Sequence, residues 1–274
     1  MSNNIPVHSY SGNKLTRSHR PNMLLFFCLL FSLFCVLIFS ACATTPSTKD
    51  INKAEAYNKL GASYLNNGQT NNAYVEFQKA INLNPKNKET LNYLGYINTT
   101  YKKYDEAIVL YKRAISIDPK YSDAMHNLGI LYIELEKWDK AISSFNAALE
   151  NPLYRTPERS YTSMGYAYYM NNNYHKAENS LRQALMRNPV YPLANYTLGL
   201  VYIKLADDEK AIKEFINAIA ISPEYINAHW ELAQIYLRRG ANAKALKHLG
   251  IVAEKGRNIE RNRMAIDQIE KLKY

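Results

Sequence analysis

The sequence predicts an all-α solenoid of six helix-pair repeats, closed by a C-terminal capping helix. Three observations carry this. A Leu/Met-Gly/Ala pair recurs at Leu60-Gly61, Leu94-Gly95, Leu128-Gly129, Met164-Gly165, Leu198-Gly199 and Leu232-Ala233, at intervals of 34, 34, 36, 34 and 34 residues. Such a period marks stacked supersecondary units. A small residue follows most of these glycines at a constant offset, with an aromatic or Leu one helical turn further on. Four units then end in Asn84-Pro85, Asp118-Pro119, Asn188-Pro189 and Ser222-Pro223.

Within each unit the spacing describes two short helices that pack closely where small residues let the backbones approach. Gly61 with Ala73, Gly95 with Ala107, Gly129 with Ala141, Gly165 with Ala177 and Gly199 with Ala211 are these contacts, and Tyr64, Tyr132, Tyr168, Tyr202 and Tyr236 supply bulk between the helices. Phe77, Tyr111, Phe145, Leu181, Phe215 and Leu249 fall on the same face of the second helix and are predicted core. Proline cannot continue a helix and pushes the residue before it out of the α region, so each Asx/Ser-Pro ends its unit. The units run over about 54–87, 88–121, 122–155, 158–191, 192–225 and 226–256.

This small-aromatic-Ala-Pro pattern resembles the tetratricopeptide repeat over about residues 54–256. The resemblance implies one right-handed superhelical solenoid of six tetratricopeptide repeats, because such units bury their apolar faces against neighbours. The last unit lacks the Pro. After Gly256, residues 257–274 place Ile259, Met264, Ile266, Ile269 and Leu272 among many charges, which predicts a solvating cap helix with one apolar side.

Residues 1–41 read as an export signal: Lys14, Arg17 and Arg20 precede an uncharged run from Met23 to Ala41, followed by small and polar residues. The run is also long enough to cross a hydrocarbon core, so residues 23–41 could stay as an inner-membrane anchor. Phe39-Ser40-Ala41-Cys42 resembles the lipobox of bacterial lipoproteins, with Phe39 in place of the usual Leu. That resemblance implies cleavage before Cys42, acylation of Cys42 as the membrane anchor, and a polar tether over residues 42–53. Ala43 in place of an aspartate resembles lipoproteins sorted to the periplasmic face of the outer membrane.

Composition narrows the function. Cys28 and Cys35 lie in the apolar run, so no disulfide framework is expected in the repeats, and the cysteines are not expected to hold a metal. The formal net charge of +10 falls to +7 without Lys14, Arg17 and Arg20, and its excess gathers toward the C-terminus, in residues such as Arg238, Arg239, Lys255 and Arg261. A nucleic-acid groove would interleave basic and stacking residues; a solvated face, or attraction to anionic lipid or envelope polymer, suits this pattern better, and no nucleic-acid partner is expected. His126, His175, His229 and His248 have no recurring Cys, Ser or carboxylate partner, and no glycine-rich phosphate loop occurs, so neither catalysis nor a cofactor is expected. His126 is expected to make a polar contact in the groove.

In tetratricopeptide domains the first helix of each unit lines a concave groove. Counting off the repeat, the resemblance places Tyr93, Tyr96, Ile130, Ile133, Tyr166, Tyr169, Leu200, Ile203, Trp230 and Leu237 there, a strip suited to a protein or peptide partner. Asn58 and Ala62 stand where chaperone-binding members of the family carry a Lys and Asn clamp, so chaperone tails are not expected. The two-residue expansion at Glu150–Ser160 is expected to interrupt the superhelix at its middle. Its Leu153, Tyr154, Pro157 and Arg159 match a Leu-Tyr-x-x-Pro-x-Arg segment, and with the leader and repeat count the chain resembles the type IV pilus biogenesis and stability family. That resemblance implies a pilotin, a lipoprotein whose partner is the secretin subunit. Other tetratricopeptide lipoproteins offer a second expectation, an envelope adaptor that scaffolds cell-wall hydrolases.

Overall fold

The computed structural model describes Met1 and residues 46–272. The helical residues belong to one compact unit, Thr48–Tyr274. The export segment 1–41, the anchor alternative 23–41 and the lipidation site Cys42 lie outside the described residues.

Thirteen helices follow one another among the described residues, joined by short turns. The six pairs are α1 (Thr48–Asn66) with α2 (Thr70–Leu83), α3 (Lys88–Thr100) with α4 (Tyr104–Ile117), α5 (Ser122–Glu134) with α6 (Trp138–Leu149), α7 (Pro157–Met170) with α8 (Tyr174–Arg187), α9 (Pro192–Lys204) with α10 (Asp208–Ile221), and α11 (Ile226–Arg238) with α12 (Asn242–Lys255). Helix α13 (Ile259–Lys271) closes the array. Within each pair the two helices pack most heavily on each other, and each second helix packs next on the first helix of the following pair, which makes the all-α superhelical repeat fold.

One contact recurs at the centre of every pair. The first-helix glycine faces the large core residue of the second helix so closely that a Cβ would lie 2.8 Å from the Phe77 ring at Gly61, 2.7 Å from the Tyr111 ring at Gly95, and 2.5 Å from the Phe145 and Phe215 rings at Gly129 and Gly199. Interiors are packed to crystal-like density, so no slack exists to absorb that atom. Where the second helix carries Leu181, the clash at Gly165 is with its branched carbon at 2.6 Å. In the sixth pair Ala233 faces Leu249, both fully buried, so an added methyl accompanies loss of the ring.

The turns inside the pairs repeat a second device. Gly68, Lys102, Glu136, Asn172, Ala206 and Gly240 all take a left-handed backbone, with φ between 55° and 74°. The next residue's N–H donates back to the helix, as in Gln69 to Tyr64 at 2.9 Å and Lys137 to Tyr132 at 2.8 Å, which satisfies carbonyls at the helix end. Between pairs, Asn84, Asp118, Asn188 and Ser222 are extended or nearly so, as the following prolines require.

Three expectations need correction. Helix α1 starts at Thr48, so residues 48–53 of the expected tether are helical; Asp50 in the first turn suits the helix dipole, and Lys53 lies over the Tyr57 ring at 5.8 Å. The Glu150–Ser160 expansion does not interrupt the array. Asn151-Pro152 repeats the turn, with the Leu153 N–H donating to Asn151 Oδ1 at 3.0 Å, and the extra residues are taken up in the loop while α6 and α7 pack as closely as other neighbours. The cap helix α13 does not gather all its apolar residues on one side. Ala265, Ile269 and Leu272 meet the array, whereas Ile259, Met264 and Ile266 are exposed, because a 100° step per residue carries them off that face.

Buried histidines tie the array together. His126 Nδ1 lies 2.8 Å from Ser160 Oγ, which donates to the Tyr154 hydroxyl at 3.2 Å, so His126 is the donor to Ser160. It is therefore a joint between the third and fourth repeats and not a groove contact, since only 3% of it is exposed. The sequence reading gave His229 and His248 no common site, yet their Nδ1 atoms are 2.8 Å apart. His229 Nε2 donates to the Pro223 carbonyl at 2.9 Å, which leaves its Nδ1 to accept from His248.

Two predictions follow from this packing. Gly129→Ala should cost about 1–3 kcal/mol in urea unfolding, and Phe145→Leu added to it should recover part of that loss, mirroring the Ala233–Leu249 pairing. Burial holds His248 down to about 4 and His126 down to about 3, with neighbouring His229 and Lys247 in the first case and the Arg159 charge in the second adding smaller pushes in the same direction. Both stay neutral when folded, while the unfolded chain takes up their protons near pH 6.5, so stability falls as pH drops through that value. From pH 6.5 to 5 each should lose roughly 2 kcal/mol. His248→Gln should flatten the unfolding-versus-pH curve in that window, above the range where carboxylates titrate.

Candidate partner-binding groove

The first helices α1, α3, α5, α7 and α9 lie side by side and form a continuous wall. Hydrogen bonds stitch it from one repeat to the next: Thr90 Oγ donates to Asn58 Oδ1 at 2.9 Å, Asn127 Nδ2 to Asn92 Oδ1 at 2.9 Å, and His126 to Ser160 as above. At the far end Gln234 and Gln268 bond at 3.0 Å. Asn58 is thus committed to the neighbouring repeat. The corresponding hydroxyls of Thr162 and Thr197 bond instead to their own helices, to the carbonyls of Glu158 and Leu193, each at 2.8 Å. The wall lacks a polar stitch there, and an apolar cleft opens at that place.

That cleft has a volume of about 250 Å³ and is lined by Ile130, Ile133, Thr162, Ser163, Tyr166, Leu193 and Thr197. Ile130 and Tyr166 are 38% and 36% exposed. The two threonine hydroxyls are already satisfied and ask for no hydrogen bond from an occupant. A second cleft, of about 540 Å³, lies on the N-terminal side and is polar: Asn92, Tyr93, Tyr96, Tyr121, Asp123, Asn127 and Arg159 line it, with Leu65 and the α1–α2 turn. Tyr96 is 49% exposed, and burial raises the Tyr121 hydroxyl well above its ordinary value, keeping it a neutral donor. A third cleft of about 250 Å³ joins Trp230 to Asn258, Glu260, Arg261 and Met264 of the cap region. The Arg261 guanidinium lies 5.8 Å over the Trp230 ring, and burial raises the nearby Glu231 carboxyl despite Arg261 and Arg238.

The sequence-derived residues therefore separate into groups. Ile130, Ile133 and Tyr166 converge in one cleft, Tyr93 and Tyr96 in another, and Trp230 reaches the third. Tyr93 also stacks on Phe77 at 4.8 Å, so part of its surface serves packing between repeats. Tyr169, Leu200, Ile203 and Leu237 are half-buried against the core. The single strip becomes a series of clefts. Of the loop residues, Tyr154 accepts from Ser160, Pro157 starts α7, Leu153 is 85% exposed, and Arg159 enters the polar cleft. Leu193, Asn92 and Tyr121 were missed, although Leu193 occupies the same repeat position as Asp123 and Arg159, a spacing that could have found it. Much of the C-terminal basic excess is paired: Lys255 with Glu224 at 2.7 Å, Arg239 with Glu209 at 2.6 Å, and Arg238 with Asp208 at 3.1 Å.

Comparison with known proteins agrees with this geometry. Family models for the tetratricopeptide repeat match residues 54–87, 100–151 and 158–191, and a TPR repeat model matches 207–240. No curated protein matches the sequence significantly. Among solved structures, PilW, described as a widely conserved type IV pilus biogenesis factor, superposes with a TM-score of 0.72 at 19% identity, over 78% of this chain and 98% of that one. PilF of Pseudomonas aeruginosa gives a TM-score of 0.72 at 16% identity, over 81% of this chain and 100% of that one. MamA gives a TM-score of 0.52 at 26% identity, over 66% of this chain and 98% of that one. At such identities the likeness to PilW and PilF is one of fold. The chain belongs to the tetratricopeptide-repeat proteins and resembles type IV pilus biogenesis factors in structure.

Proposed function

We propose that the chain is a non-enzymatic, protein-binding lipoprotein of the bacterial envelope that assists assembly of the outer-membrane secretin for type IV pili. The observation that carries the binding half is the inner wall, where solvent-facing aromatic and aliphatic residues line clefts while the Thr162 and Thr197 hydroxyls beneath them are satisfied within the protein. Surfaces of that kind suit an apolar anchor from a partner. The pilus half is supported by the fold shared with PilW and PilF along nearly their whole length. The membrane half is supported by the sequence alone: acylation at Cys42 would hold the chain to the outer membrane, since several acyl chains on one residue anchor almost permanently.

On this reading the mechanism is non-covalent. The lipid fixes the repeats at the membrane, and the wall shields an apolar segment of the secretin subunit until it enters the ring. Comparing heat-resistant secretin multimers in separated membranes of wild-type and deletion strains tests it. Multimers should vanish or collect in the inner membrane, and Tyr166→Asp should lower them roughly tenfold without unfolding the array. Unchanged multimers in the deletion strain would overturn the secretin role, and altered septation with intact pili would favour the cell-wall scaffold.

A further inference from the structure

We propose that Arg159 and the adjoining apolar cleft form a two-point site for an extended peptide, with one apolar side chain in the cleft and a carboxylate on the guanidinium. This rests on the reading of the inner wall as the partner-binding face and specifies what it binds. Two helices serve both clefts. Helix α7 presents Arg159 to the polar cleft and Tyr166 to the apolar one, and α5 presents Asp123 and Ile130 in the same way. The two clefts therefore adjoin.

The polar cleft contains a cation with no partner of its own. Arg182, Arg238 and Arg239 all hold carboxylates, whereas Arg159 enters no ion pair among the described residues. A planar guanidinium beside side-chain amides and phenols is shaped for a carboxylate and for the unpaired main-chain groups of an extended peptide. The apolar cleft has room for one branched or aromatic side chain, and the Thr162 and Thr197 hydroxyls in it are already bonded to their own helices. Arg159 and Tyr166 lie seven residues apart on α7, about 10 Å at 1.5 Å per residue, and an extended chain advances about 3.3 Å per residue, so anchor and carboxylate should be about three residues apart. Asp123 shares the polar cleft and weakens acidic ligands by like-charge repulsion.

The test uses the full chain in lipid nanodiscs, screened with a phage-displayed library of random peptides, followed by fluorescence anisotropy on synthetic versions of the enriched sequences. Enriched peptides should carry an apolar residue about three positions from Asp, Glu or a free C-terminus. Arg159→Gln should weaken the acidic peptide about tenfold and leave its Asn- or Gln-substituted counterpart unchanged, and Asp123→Asn should tighten it. Ile130→Asp and, as a milder variant, Tyr166→Ala should weaken both peptides, with helicity checked by circular dichroism. Binding that depends on Ile130 but ignores Arg159→Gln overturns the carboxylate half and leaves the wall as a binding face. Peptides indifferent to Ile130 and Tyr166 overturn the wall reading itself. Self-association of the labelled chain through Ile130 would assign the cleft to a second copy and overturn the proposal.

Discussion

The approach of each first-helix glycine to the large side chain of its partner helix sets the geometry of the array. With no Cβ at Gly61, Gly95, Gly129 or Gly199, a ring can lie flat against the facing backbone, and that fixes how far apart and at what rotation the two helices sit. Because the contact recurs once per repeat, successive pairs adopt nearly the same internal geometry, and the first helices come into line as a wall. Fully burying each such ring contributes roughly 2–3 kcal/mol, so stability is distributed along the array by nearest-neighbour contacts.

The wall's chemistry follows from what ties it together. Asn58 with Thr90, Asn92 with Asn127, and His126 with Ser160 use polar residues to join neighbouring repeats. Where Thr162 and Thr197 turn their hydroxyls to their own helices, that stitch is missing, and the surface between Ile130, Tyr166 and Leu193 is free to be apolar. The same choice that forgoes a hydrogen bond between repeats creates the driest place on the wall. The expansion at Asn151–Thr156 brings Tyr154 back to Ser160, so the loop buttresses this region from one side while Arg159 enters the wall from the next helix.

Period and core were legible from sequence because each rests on residues that recur: the Leu-Gly pairs, apart from the exposed Leu60, the following alanines and the ring positions lie in the buried core. The left-handed turns were hidden because Lys102, Glu136 and Ala206 occupy a backbone region where glycine or asparagine is the usual signal. The Lys–Tyr contacts of Lys140 with Tyr132, Lys176 with Tyr168, Lys210 with Tyr202 and Lys244 with Tyr236 recur at a constant spacing of eight residues, a signal in the sequence that only gains meaning once the turn brings the two helices together. The His229–His248 pair escaped for a related reason: nineteen residues separate two groups that meet only once the sixth pair closes. The expected groove residues lie on first helices, but a count along the repeat cannot tell that Tyr93 leans on Phe77 or that the strip divides into clefts.

On the proposed reading, function depends on what the inner wall holds, with the outer helices serving as support. The most direct measurement places a photo-crosslinking amino acid in living cells at Tyr166 or Tyr96 on the wall, and at the more exposed Val109 on the second helix of the Tyr96 pair. A discrete protein adduct from the two wall positions and none from Val109 is expected. Adducts from Val109 with none from the wall would contradict the assignment of the groove as the functional surface.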